Sequence, residues 1–508
     1  MISSMIYRNR ANFAGGPGPY EEYVHNPVPN RNVISKPSPS TSLYMMLLVC
    51  AAINLDQLVA APNLSQIATS FNMTPSQKDS RLGALTQFGF YMTAALFSIL
   101  SGPVTEVVDR GRLLSGVSGM AAILSVLSAL VPSGALGFFY FFLVRVSCGI
   151  CVGSTLPTAF SLLGDMVPAN RRTTMSAFVT TSCALGAAFG QAISGFTGSL
   201  NWRVPYFIVA CVSGTICVIS LMFLADQRYD KRRKDLQTSL SSTVTNTVAG
   251  AWIGLTSHSQ PQEGRKSFSM EDLNWSLFRE ALKVPTNRII FAQSLPGCVG
   301  WSCITTFLPD FIYRELRFSV TSSTAVMGVF GIGGLFCSMI GSALGQSLYN
   351  TNRSSLPVFV ATCTAVGAIP LILMVLVGRW SSILVCIMAA LGGVAAATGP
   401  NLKGMLMNAN PPNTRASVFS LYNLIDNIGK GLGPSVLVLL TWVCGGNRAI
   451  AFAFAFCFWF LSAWLQLRLS ECFVSDVVNL EVQTDQELHR ESFDLFHIYH
   501  RIDQVSSS

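Results

Sequence analysis

Half of the 508 residues are hydrophobic and only 11% are charged, far from the quarter charged that soluble domains carry. The apolar residues come in runs close to the ~20 needed to cross a bilayer as a helix, which indicates an all-α membrane protein. The net charge of +8 is scattered through loops and not gathered into one stripe, so nucleic acid is excluded as a partner.

In chain order, residues 1–41 are rich in Pro, Gly, Asn and Ser and read as a disordered cytoplasmic tail, not a cleaved signal peptide. Apolar segments follow at about 43–62, 82–105, 113–132, 135–163, 173–197 and 204–224. A polar gap at 225–288 leads to a second set at about 289–312, 322–345, 356–377, 380–407, 416–443 and 449–469. The predicted architecture is twelve transmembrane helices in two pseudo-symmetric six-helix halves, 42–224 and 289–470, followed by an acidic cytoplasmic tail at 471–508. The halves share a plan: Pro168-Ala-Asn-Arg171 precedes Gly186-x-x-x-Gly190, as Pro412-Asn-Thr-Arg415 precedes Gly429-x-Gly431-x-Gly433.

Short loops do not orient the chain. Arg110, Arg112, Arg171, Arg172, Arg353, Lys403 and Arg415 on one side balance Lys78, Arg81, Arg203, Arg314, Arg317, Arg379 and Arg448 on the other. Arg228 and the run Lys231-Arg232-Arg233-Lys234 after the sixth segment decide it, placing the termini and the 225–288 linker in the cytoplasm. That run suits anionic membrane lipids as partners, or serves topology alone. The sequons at Asn63 and Asn72 then fall in the first outside loop. Within the linker, Ser269 is a helix cap and Leu273, Leu277, Phe278, Ala281 and Leu282 make one apolar face ended by Pro285. This reads as a short amphipathic helix on the inner membrane surface.

Several motifs carry less than they promise. Cys148-x-x-Cys151 has metal or redox spacing, but it lies inside an apolar segment with no His nearby, and small packing residues explain it. His497-x-x-His500 lacks further ligands and suits a solvated tail. There is no Walker motif, zinc spacing or nucleophile elbow, so no cofactor, no metal and no enzymatic activity are expected.

The candidate chemistry lies in charges inside apolar segments, each of which costs about 2.5–3.5 kcal/mol on insertion scales. Asp56 stands ~20 Å into the first segment at 1.5 Å per residue, and Arg145 stands at an overlapping depth in the fourth. The two are expected to face each other or share a cavity, as a coupling site or as a static ion pair that pins two helices. In the other half Asn423, Asp426, Asn427 and Lys430 form a second polar element, with Asp426 and Lys430 in the favourable i,i+4 order. It is either a gate or a structural contact between halves. Asp310, beside Pro309, reads as interfacial. Glu106, Asp109, Arg110, Arg112, Asp165, Arg171 and Arg415 are candidates for a cytoplasmic gate, or are ordinary interface charges.

Together these residues resemble the major facilitator superfamily over about 42–470. Gly102-x-x-x-Glu106 with Asp109-Arg110-Gly111-Arg112 is similar to its signature loop, with Glu for the usual Asp and a stretched spacing. Arg145-x-x-x-Gly149, the glycines from Gly186 to Gly195 and Asn201-Trp-Arg203 are similar to its fourth-, fifth- and sixth-helix patterns. Asp56, Ala61, Leu64, Ile67 and Phe71, then Asp79-Ser80-x-x-Gly83, resemble the spinster-like branch, which moves sphingosine phosphate or lysophospholipids. Gln57 departs from that branch's Arg, and Val152 from its Glu. The resemblance implies the major facilitator fold and a secondary transporter that rocks two halves around a midplane site. The implied cargo is a small molecule or an amphiphilic anionic lipid, with protons as a candidate coupling ion, in the plasma or endolysosomal membrane. A sugar or organic-anion transporter and a non-transporting receptor or scaffold are the alternatives.

Overall fold

The structure, a computed structural model, describes residues 38–167, 172–198, 201–226, 275–378, 381–411 and 414–506. Residues Pro37–Ser508 form one compact unit, while the unit Met1–Lys36 lies wholly outside the described residues, with the expected N-terminal tail. So do the basic run of the linker and the Ser269 cap.

The described chain is helical throughout its spans. The first half comprises α1 (Pro39–Asn54), α2 (Thr86–Val107), α3 (Arg110–Ala129), α4 (Ala135–Met166), α5 (Arg172–Thr197) and α6 (Val204–Phe223). The second comprises α7 (Pro285–Arg314), α8 (Val320–Thr351), α9 (Ser355–Val377), α10, α11 (Arg415–Val443) and α12 (Arg448–Ser506). α10 is built in three pieces, Ser382–Gly392, a 3-10 stretch Gly393–Ala397, and Thr398–Asn408. Successive helices alternate in direction. The end of the bundle that carries the α1–α2, α7–α8 and α11–α12 connections is called the far end below, and the opposite one the near end.

Nine of the described helices are long and apolar enough to cross a membrane. The other three long ones, α5, α7 and α11, span 26, 30 and 29 residues but carry more polar side chains. All three also pack against elements of the opposite half, across the seam between the two.

α1 is longer and more broken than its apolar run suggests. It passes through 3-10 turns at Leu55–Leu58 and Ala61–Asn63 into a final helical stretch Leu64–Ser70. Pro62 has no N–H to donate, and the Asn54 amide turns back to the Cys50 carbonyl at 2.8 Å, so the regular ladder lapses here. Asn63, expected in an outside loop, is 2% exposed, and its amide donates to the carbonyl and hydroxyl oxygens of Ser194, both at 2.9 Å. It is thereby removed as a glycosylation acceptor, whereas Asn72 is exposed at a left-handed φ of 55°.

Glycines let backbones meet. A Cβ on Gly186 or Gly190 would collide with the Ala51 or Leu55 carbonyl oxygen of α1 and its extension, and one on Gly149 or Gly153 with carbonyls of α2. Gly190→Val should therefore cost about 3 kcal/mol or more, the overpacking range. Thermal melting in detergent checks this against Gly116→Val, where a Cβ meets nothing within 4 Å and little change is expected.

Two expectations at the chain's polar ends change. The short helix Trp275–Lys283 buries Ala281 (1% exposed) in a cluster with Ile290, Leu402 and Val418, so its described part docks on the second half, with Leu282 left 46% exposed. The stretch from Glu471 is not a loose tail but the continuation of α12 to Ser506, because no Gly or Pro follows Gly446 to interrupt it. Phe473 and Val477 are buried, Asp476 accepts from the Thr286 backbone at 2.9 Å at the start of α7, and Glu481 pairs with Arg353 at 2.9 Å.

Candidate functional site

Three charge clusters lie along the seam. The first is in the first half, where α1 breaks. Arg145 of α4 forms an ion pair with Asp56, and its second nitrogen donates to the carbonyls of Asp56 at 3.1 Å and Gln57 at 3.3 Å. The guanidinium lies 5.4 Å from the centre of the Phe90 ring. One side chain thus satisfies backbone acceptors freed by the 3-10 turn and neutralises the adjacent carboxylate. Both residues are almost fully buried, at 3% and 2% exposure. Asp56 Oδ1 has no hydrogen-bond partner among the described residues. The structure brings the pair together as its matched depth implied, but seals it.

The second cluster is accessible. Asp426 and Lys430 on α11 pair at 2.7 Å, with 20% and 35% of their side chains reachable by water, although they sit mid-helix. The Cys298 thiol of α7 donates to the other Asp426 oxygen at 3.2 Å. Three glycines shape the surroundings. Gly429 and Gly433 seat α11 on Cys298 and Ser302 of α7, while Gly431 faces Tyr91 and Met92 of α2 across the seam. Gln57, next to the first cluster, donates to the Tyr91 hydroxyl at 3.1 Å, and Tyr91 is within electrostatic reach of Lys430. Lys403 on the last piece of α10 is within the same reach of Asp426, of Lys430 and of Cys183 on α5. Elements of both halves therefore enclose this accessible space. Asn423 and Asn427 are half-buried on the same helix, and neither side chain has a hydrogen-bond partner among the described residues.

The third cluster closes the far end. Asp310 of α7, 1% exposed, accepts from Lys78 and Ser65 of the first half and from Arg448 of α12 at 3.0 Å. Arg314 lies 3.7 Å from the same carboxylate, and Asp79 lies 3.4 Å from Lys78. Beside it a Cβ on Gly83 would strike the Phe307 ring, and one on Gly195 would strike Thr324, so the stretch Lys78–Leu85 before α2 meets α7, and α5 meets α8, at these points.

The sequence profile of the Major Facilitator Superfamily matches residues 46–434. The chain belongs to the Major Facilitator Superfamily. It is similar to the uncharacterised transporter YceJ of Bacillus subtilis strain 168, at 20% identity over 397 residues, 78% of this chain and 87% of that protein. Among solved structures it is similar to a bacterial homologue of the human lysosomal transporter Spinster in an inward-facing, unoccupied conformation. There the TM-score is 0.64 at 16% identity, covering 87% of this chain and 99% of the other. A D-xylose–proton symporter follows at TM-score 0.60 and 14% identity, over 84% of this chain and 97% of that one. At such identities the solved structures show the fold alone.

In this superfamily transporter the described near-end charges of the first half pair within that half, as Arg353 and Glu481 do within the second. Arg110, 2% exposed, makes a two-pronged pair with Asp226 after α6, at 2.8 and 2.6 Å, and donates to the Ser161 carbonyl at 2.9 Å. Asp109 caps α3 by accepting from the Arg112 backbone at 3.0 Å, and the Arg112 side chain is largely exposed. Arg171 and the side chains of Glu106, Asp165 and Arg415 lie outside the described residues.

Sequence reasoning missed Lys403, taken only as a loop charge, and the partnership of Lys78, Asp310 and Arg448 across the seam. Lys403 had a signal, since it lies inside the segment 380–407. The far-end partners had none, because their separation along the chain reaches 232 positions.

Proposed function

We propose that this membrane transporter is a secondary carrier that moves a small organic solute by rocking its two halves around the space bordered by Asp426, Lys430 and Lys403. The observation that carries the reading is the contrast along one seam: a water-accessible ion pair at mid-depth, and a far end sealed by the buried Asp310 network. A carrier caught open toward one side has this pattern, because the same site must be reachable from one end only at a time. The solved Spinster homologue is inward-facing, which is in keeping with the near end facing the cytoplasm, as the linker charges indicate. Glu106, Asp109, Arg112, Asp165, Arg171 and Arg415 are then the groups that engage when the near end closes, while Arg110 stays with Asp226 inside the first half. Asn423 and Asn427 extend the polar face of α11 toward the cargo.

Two carboxylates are candidates for carrying a proton. Asp426 is reachable by water in this conformation, whereas Asp56 is sealed beside Arg145 and becomes relevant only if the first half opens. The lipid-like cargo class rests on the first-helix resemblance to the spinster-like branch and on the fold likeness.

Comparing metabolites in cells with and without the protein supplies cargo candidates, and uptake into liposomes under an imposed pH gradient tests them. Asp426→Asn should reduce gradient-driven uptake about tenfold or more, in the range general acid–base groups contribute. Equal uptake by wild type and Asp426→Asn removes this pair from coupling, and no uptake of any accumulating solute favours a receptor.

A further inference from the structure

The charges around the central space carry one more inference, which rests on the transport reading above and deepens it. Lys403 stands one helical turn after Gly399, where a Cβ would meet no atom within 4 Å, so this face of α10 borders open space. Asp426, the acidic group within its reach, is already held by Lys430 at 2.7 Å and by the Cys298 thiol at 3.2 Å. Among the described residues Lys403 has no ion-pair or hydrogen-bond partner of its own. The Asp56–Arg145 pair is neutral as a unit and sealed away, so it offers Lys403 nothing.

Among the described residues the space therefore holds two lysine side chains against one carboxylate, one positive charge in excess when both amines are protonated. The charged form of an unpaired lysine enclosed among helices is disfavoured, and an anion that visits it restores that form. A lysine, a compact point charge on a flexible stem, can swing toward such a visitor, while Lys430 stays tethered to Asp426. Met92, which closes over Gly431, offers the visitor an adaptable apolar contact at the same level.

We propose that Lys403 is the charge-selecting residue of the central site, and that the cargo is an organic anion whose head group, a carboxylate or a phosphodiester, carries one net negative charge and sits between Lys403 and Lys430. A neutral solute would leave the lysine uncompensated, and a cationic one would add to the excess.

Matched probes that differ in one charge test this: benzoate with benzamide, decanoate with decanamide, and lysophosphatidylglycerol with monoacylglycerol. The full chain, purified in uncharged detergent, is melted with each probe and then assayed for uptake in liposomes of uncharged lipid. At least one anion should raise the melting temperature while its neutral counterpart does not, and which pair responds separates a soluble source of the anion from a lipid one. Lys403→Gln should weaken binding of that anion about tenfold or more, and Lys403→Arg should keep it within about threefold. Removing an unpaired charge should leave the unliganded melting temperature of Lys403→Gln unchanged or raised, which guards against misfolding as the explanation.

Equal binding of a neutral partner, full anion binding by Lys403→Gln, or binding of none of the anions overturns the proposal. Uptake of a neutral probe but not its anion would overturn it while leaving the carrier reading intact. Anion binding that depends on Lys403 with no uptake of any probe would do the reverse.

Discussion

Arg145→Met should be the most damaging single substitution in the first half, lowering stability by about 3–5 kcal/mol, the cost of breaking a buried ion pair from one side. Three losses combine. The Asp56 carboxylate is left buried without a counter-charge, two carbonyls at the break in α1 lose their donor, and the contact with the Phe90 ring is gone. Thermal melting and the yield of monodisperse protein measure it. Asp56→Asn should be milder, because an amide still accepts from the guanidinium. The double variant Asp56→Asn with Arg145→Met should recover part of the single-variant loss, since no lone charge remains. A melting temperature of Arg145→Met equal to that of wild type would show that the pair does not hold the break together.

The second large effect is expected at the far end. Asp310→Asn removes the negative charge on which Lys78, Ser65 and Arg448 converge, and leaves the two cations to share Asp79, 3.4 and 3.9 Å away. If about 3 kcal/mol of the closed state is lost, the ratio of closed to open far ends shifts about a hundredfold. Amide exchange should speed up in Leu64–Ser70 and in the last turns of α7, and the near-end segments should hardly change. Ser65→Ala, which loses a single hydrogen bond worth about 1 kcal/mol, should show the same pattern weakly. Unchanged far-end exchange in Asp310→Asn would mean that the glycine-seated contacts at Gly83 and Gly195, not the charges, keep the halves together.

These two clusters also show how differently sites are written into a chain. Asp56 and Arg145 are legible because each is an ion stranded in an apolar run, and depth along a helix follows from residue count. Their meeting could be inferred from matched depth; their sealing could not, because burial depends on how α1 bends at its 3-10 turns. Asp426 and Lys430 are legible for the further reason that both lie on one helix face. Lys403 escaped because a lysine near the end of a segment looks like a loop cation until a third helix shows which way α10 faces. The near-end loop resembled a gate by motif, yet Arg110 is spoken for by Asp226, a partner after α6 that no local pattern indicates.

The sequence by itself determined what depends on the solvent and on local geometry. It set the number and rough limits of the helices, the repetition of a six-helix plan, the glycine faces that allow close approach, and the presence of charges too costly to be incidental. Those follow from the transfer cost of side chains and from a fixed rise per residue. Only the tertiary structure decided which charges pair, which pair stays wet and which end is shut. Ion pairing and access are properties of positions brought together across the seam, and they require the crossing of α2 with α11 and of α5 with α8 to be known first.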